Sequence, residues 1–190
     1  MSLGAKFLLF GLCLMLGRGQ AFAADAVDYE DVVAERRDGV YYASLSLQAS
    51  VPPALALEVL TDFDHMAEFV PNLTASRIVS HSGNVYRIAQ QGRASFGPLG
   101  FRFDSERQVE VQADGRLLSK ALSGSPKYLR SELRVQAVGA GSRLDYRIEV
   151  IPELWAPAVL GVSFMRHELA EQFTALVREM ERRQKARQAR

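Results

Sequence analysis

The stretch VLTDFDHMAEFVPNLTASRIV, Val59 to Val79, changes character three times within one short segment. Val59 and Leu60 close a helix. Asp62 or Thr61 stands where a second helix, Phe63 to Phe69, would take its cap. Proline disfavours helical backbone in the residue before it, so the chain turns a corner at Val70-Pro71. From Leu73 to His81 it reads as a strand.

Reading outward toward the N-terminus, Tyr41, Ala43, Leu45 and Leu47 alternate with Ser44, Ser46 and Gln48, the mark of a half-buried strand. Val51-Pro52-Pro53 ends it, and proline in a first turn suits the helix expected over Ala54 to Leu60. Toward the C-terminus, strands are predicted over Val85–Phe96, Phe101–Ala113, Arg116–Leu122, Tyr128–Val138 and Arg143–Ile151. Ser82-Gly83-Asn84, Gly97-Pro98-Leu99-Gly100 and Gly139-Ala-Gly-Ser142 read as hairpin connections, and Asp114-Gly115 as a type I′ turn. After Pro157 the period changes. Val162, Met165, Leu169, Phe173, Leu176 and Met180 recur every three or four residues, predicting a helix of roughly 25 residues.

The order is therefore strand, two short helices, a six-strand antiparallel meander and a long closing helix. An apolar sheet face needs a cover, and that helix supplies it. The order, with Thr61 to Leu73 (TDFDHMAEFVPNL) and the strand after it, resembles the START-like superfamily, which holds the polyketide cyclase/dehydrase and coenzyme Q-binding families. The likeness spans about Gly39 to Arg183. It implies an α+β helix-grip fold, a curved antiparallel sheet wrapped around a long C-terminal helix, with two short helices after the first strand. It also implies an internal apolar cavity. A void of ~400 Å³ left empty would cost about 10 kcal/mol at ~24 cal/mol per Å³. Such a space is expected to hold water or an apolar ligand.

Projected at period two, one face gathers Tyr86, Ile88, Ala94 and Phe96, then Phe101, Phe103, Val109 and Val111, then Leu129, Leu133 and Val135, then Leu144, Tyr146 and Ile148. The cavity candidates are Phe69, Tyr86, Ile88, Phe96, Phe101, Phe103, Arg107, Leu133, Tyr146, Trp155 and Phe164. Any one of them can equally fill an ordinary core. Gln90, Ser105, Arg107 and Ser131 share the inward register. An unpaired buried guanidinium is costly. Arg107 is therefore either turned outward by a β-bulge, paired with Glu132 or Asp104, or set against an anionic or quinone-like head group.

The ends of the chain have their own readings. Lys6, the apolar run Phe7 to Gly17 and the small-x-small pattern ending at Ala23 are those of a signal peptide. Cleavage is expected after Ala23 and the location is expected to be the periplasm. Residues 24–38 are expected to form an N-terminal arm, residues 39–183 the ligand-binding domain and residues 184–190 a basic tail. The single cysteine, Cys13, falls in the leader, which removes thiol catalysis and disulfides from the remainder. Taking Lys6 and Arg18 from 23 basic residues leaves 21 against 22 acidic ones. That balance argues against nucleic acid as a partner.

Catalytic signatures are few. The three histidines, His65, His81 and His167, show no zinc-ligand spacing, and His167-Glu168-Leu-Ala-Glu171 has glutamate where a second histidine would stand. Neither a nucleophile elbow nor a phosphate loop is present. No metal or cofactor is expected. The resemblance implies a non-catalytic holder of a lipid, fatty acid or isoprenoid quinone. A polyketide cyclase/aromatase-like enzyme using Arg107, Tyr86 or Tyr146 is the first alternative. An envelope interaction module that touches membrane or protein through the tail or the 97–100 tip is the second.

Overall fold

The alternating segments assemble into one antiparallel sheet, seen in a computed structural model that describes residues 27–96, 99–152 and 158–190. Its strands are β1 (Val33–Arg37), β2 (Val40–Ala49), β3 (Leu73–Ser82), β4 (Val85–Phe96), β5 (Leu99–Val111), β6 (Arg116–Gly124), β7 (Tyr128–Val138) and β8 (Gly141–Ile151). They lie in the order β1-β2-β8-β7-β6-β5-β4-β3. The last strand of the meander therefore pairs with β2. The long way round from β2 to β3 carries α1 (Pro53–Leu60), a 3-10 turn (Phe63–His65) and α2 (Met66–Phe69). The helix α3 (Ala158–Gln188) lies across the curved sheet, giving the helix-grip architecture that the sequence order implied.

Four local features differ from the sequence reading. The stretch expected to be a loose arm contains β1, which pairs with β2 from Val33–Ser44 to Arg37–Val40. Asp38 and Gly39, with φ of 49° and 84°, form the tight turn between them. At Asp114-Gly115 only the glycine has a positive φ, 82°. Its N–H closes on the Gln112 carbonyl at 3.1 Å, so the connection is a type I turn followed by a left-handed glycine. The basic tail continues α3 as far as Gln188, and β5 takes up Leu99 and Gly100.

The corner in the opening stretch is held differently from a capped helix. Neither Thr61 nor Asp62 caps the second helix with its side chain. The Thr61 hydroxyl donates to the Leu57 carbonyl at 2.8 Å, and the Asp62 carboxylate accepts from Arg183 at 2.6 Å. Inward residues of β2, β7 and β8 meet α1 and the second half of α3 in the core. Leu144, Val59, Ala56, Val51 and Met180 have no exposed surface there. The Ser142 hydroxyl, donating to the Val51 carbonyl at 2.6 Å, fastens β8 beneath the start of α1.

Candidate functional site

The burial of α3 changes along its length. From Leu169 to Met180 fully buried residues alternate with half-buried and exposed ones, as a packed amphipathic helix requires. Residues 161–168 are all half-buried, whichever way they face. The sheet mirrors this. Val135, Leu144, Leu133 and Leu117 are buried. On the same inner face Phe103, Ser105, Arg107, Ser119, Ala121, Ser131, Tyr146 and Ile148 are only half-buried. These residues and the first half of α3 are less buried than the rest of the grip, although Phe103, Tyr146, Ile148, Val162 and Met165 pack against the edge of the core. Tyr146 marks the boundary, its ring 5.0 Å from that of Phe173 on the tightly packed part of the helix.

Arg107 points into this loosely packed region. Its pairing partners are Ile88 on β4 and Ala121 on β6, so it shares their inward face. A bulge lies beside it, but the register slips on β6, between Ser123 and Ala121, and leaves Arg107 facing in. Neither Glu132 nor Asp104 pairs with it: Glu132 sits beside Arg134 at 3.8 Å, and Asp104 stands opposite Gln91 in the outward register. Instead the Arg107 Nη2 donates to the Gln90 side-chain oxygen. Gln90 is buried, and its amide donates to Ser76 Oγ at 3.0 Å and reaches the Met66 sulfur at 3.5 Å. Ser76 in turn donates to the Phe63 carbonyl at 2.5 Å. The opening stretch of sequence thus supplies the far anchor of a chain that ends on the guanidinium.

Around that chain two polar atoms are closed off from water without a hydrogen-bond partner, Arg107 Nε and Ser119 Oγ. Burial pulls the pKa of the guanidinium down, and only partly does the neighbouring Tyr146 offset this. Burial likewise pushes the Tyr146 phenol up, while its bond with Ser131 and the charge on Arg107 pull the other way. A guanidinium and a phenol that sense each other across an apolar face form a charged or hydrogen-bonding end for a molecule whose remainder is apolar.

The remaining candidates separate into groups. Ile88 and Leu133 belong to the buried core. Tyr86 is half-buried against Phe63 at 5.3 Å and His81 at 4.4 Å. Phe69 lies under Arg183, near the second half of α3. Phe103 and Phe164 are half-buried around the loosely packed region. Trp155, the side chains of Phe96 and Phe101, and the 97–98 tip lie outside the described residues. Ser119 was not picked out by sequence. Projecting Leu117, Ser119 and Ala121 at period two would have found it, since Ser119 stands opposite Ser131. Among the described residues no three His, Cys, Asp or Glu side chains converge as a metal site would require. His167 lies 3.5 Å from Glu171.

A family model described as polyketide cyclase / dehydrase and lipid transport matches residues 43–181. No curated protein matches the chain by sequence. Among solved structures, an aromatase/cyclase from Streptomyces sp. R1128 superposes with a TM-score of 0.65 at 12% identity, covering 76% of this chain and 95% of that one. A START superfamily protein from Mycobacterium smegmatis gives 0.66 at 12% identity, covering 74% and 97%. A STAR-related lipid transfer protein from Xanthomonas axonopodis gives 0.59 at 12% identity, covering 80% and 99%. At such identities the likeness is one of fold.

Proposed function

We propose, from the premise that the chain belongs to the polyketide cyclase / dehydrase and lipid transport family, that it is a non-catalytic holder of a hydrophobic small molecule. The ligand is a lipid, a fatty acid or an isoprenoid quinone, seated between the inner face of β5–β8 and the first half of α3. One observation carries this reading. Apolar residues that face inward on both layers, among them Phe103, Ile148, Val162 and Met165, are left half-buried where a filled core would bury them. Purification without detergent followed by native mass spectrometry and organic extraction tests it. A stoichiometric apolar adduct is expected. A clean apo mass with no uptake of added lipid or quinone would turn the reading toward an interaction module.

Arg107 on β5 and Tyr146 on β8, both on the inner face, favour a second reading, a cyclase/aromatase-like enzyme, because a guanidinium and a phenol are enough to polarise and protonate an enolising carbonyl. A polyketone probe recovered unchanged after saturation of the protein excludes it. We also propose export to the periplasm with cleavage after Ala23, on the strength of the Lys6, Phe7–Gly17 and Ala23 pattern. An N-terminus beginning at Ala24 in the osmotic-shock fraction is the expected result. Transient contact with an anionic membrane through the basic end of α3 remains part of this proposal and is testable by vesicle co-sedimentation.

A further inference from the structure

We infer that the ligand is an acid, a long apolar molecule ending in a single carboxylate that pairs with Arg107. This rests on the hydrophobic-ligand reading and narrows it, setting neutral quinones and alcohols apart from carboxylic acids.

The argument begins with charge. By register, the described inner-face residues of β2 and β4–β8 include one cation, Arg107, and no carboxylate. Asp104 and Glu106 precede it in sequence but project to the other side, where Glu106 pairs with Arg87. On α3, Glu168 accepts from the Asn72 amide at 2.7 Å. The partner that Arg107 does have, Gln90, is neutral and held in place by Ser76 and Met66. A guanidinium whose Nε is closed off from water, with no counter-charge among the described residues, is an expensive arrangement, and an anion would complete it.

Geometry then selects the anion. The Nε–H is unpartnered, and a guanidinium edge presents two parallel N–H groups that match the two oxygens of a carboxylate. On the two strands beyond, Ser119 Oγ has no partner, and Ser131 stands directly opposite it. The Ser119 hydroxyl extends the donor surface from β5 to β6 without adding charge, while that of Ser131 is engaged with Tyr146. One cation balances one negative charge. A phosphate monoester, a dianion, would leave a buried excess, whereas a quinone carbonyl or a hydroxyl would leave the guanidinium uncompensated.

The test compares dodecanoate, dodecanol and a short-chain isoprenoid quinone by titration calorimetry on the delipidated full chain at neutral pH. The acid is expected to bind at least about 10-fold more tightly than the alcohol, as a charge-assisted hydrogen bond implies. In Arg107→Met, and in Arg107→Gln should the first variant fold poorly, dodecanoate affinity should fall to the level of the alcohol. Equal affinity for acid and alcohol in the unaltered protein would overturn the acid inference while leaving the carrier reading intact. Binding of none of the three would remove both. An acid preference that survives both substitutions would overturn the assignment to Arg107.

Discussion

The two halves of α3 share one helix and one sheet yet pack very differently. The second half is tight: Phe173, Leu176 and Met180 are buried against Leu55, Ala56 and Val59 of α1. It is also tied electrostatically. Arg183 bonds Glu179 at 2.7 Å and Asp62 at 2.6 Å, and its guanidinium lies over the Phe69 ring. The first half leaves residues 161–168 half-buried on every side, above an inner face that carries Arg107 and Tyr146. Burial and ion pairing are concentrated where α1 and α3 close on the sheet, and the other end is less buried. Such a division is what a binding scaffold needs, since a site packed like a core has no room for a ligand.

The comparison is broken most forcefully by carving into the closed end. Leu144→Ala removes a side chain with no exposed surface. It should cost about 3 kcal/mol and lower Tm by roughly 6–12 °C. Ligand stoichiometry of the folded fraction should stay the same, and an equal loss of ligand would show that the two halves are one unit. Next in size is Arg183→Met, which takes from Asp62 and Glu179 the cation they share, leaving them His65 and Arg182, and should cost about 2 kcal/mol in chemical denaturation.

That second variant also has a pH signature. Burial pushes the Asp62 carboxyl up, but bonds from His65 and Arg183 outweigh it and hold it below its ordinary 3.8. The bond from Arg182 holds Glu179 below its ordinary 4.5, with Arg183 adding to it. A carboxyl that titrates lower in the folded chain stabilises fully above its unfolded value and loses that contribution as pH falls through the folded one. The unaltered protein should therefore weaken on acidification below about pH 4.5, with Arg183→Met showing a shallower acid limb.

A sharper contrast comes from adding volume at each end. Ala56 is completely buried, while Ala121, opposite Arg107 on the inner face, is half-buried. Ala56→Phe overpacks a filled region and should cost about 1–3 kcal/mol or more. Ala121→Phe should change stability by less than about 1 kcal/mol and abolish ligand uptake, because it occupies space that is not core. Matching losses of stability from the two would mean the loosely packed region is an ordinary interior.

The facing of the strands is legible in the sequence; the depth of each residue is not. Period-two projection placed Tyr86, Ile88, Gln90, Arg107, Ser131 and Tyr146 on one face, and the observed register agrees. It could not say that Ile88 is sealed while Tyr146 borders a looser region, because depth depends on how α3 crosses the sheet and periodicity carries no crossing angle. The partner of Arg107 was missed for a related reason. Gln90 reaches it diagonally, from a residue pair next to its own, and that contact depends on side-chain length. β1 escaped notice because Val33-Ala-Glu-Arg-Arg37 has only Ala34 buried, so its alternation is too faint to count as a strand. Asp38-Gly39 was the stronger signal, a turn that needs a strand on both sides.

The smallest expected effect probes where the closed end stops. Arg187 pairs with Glu58 at 2.5 Å, but both side chains are about half exposed, 55% and 44%. Exposed pairs gain little from Coulomb attraction in water, and ordering two long side chains offsets part of it. Arg187→Ala should therefore shift denaturation by at most about 0.5 kcal/mol, against about 2 kcal/mol for Arg183 one turn earlier. The same substitution removes one charge from the helix end, so its effect on sedimentation with anionic vesicles separates two roles. Weaker sedimentation at unchanged stability would assign the last turn of α3 to the membrane surface. A loss of stability as large as that of Arg183 would extend the closed end to the last turn of the helix.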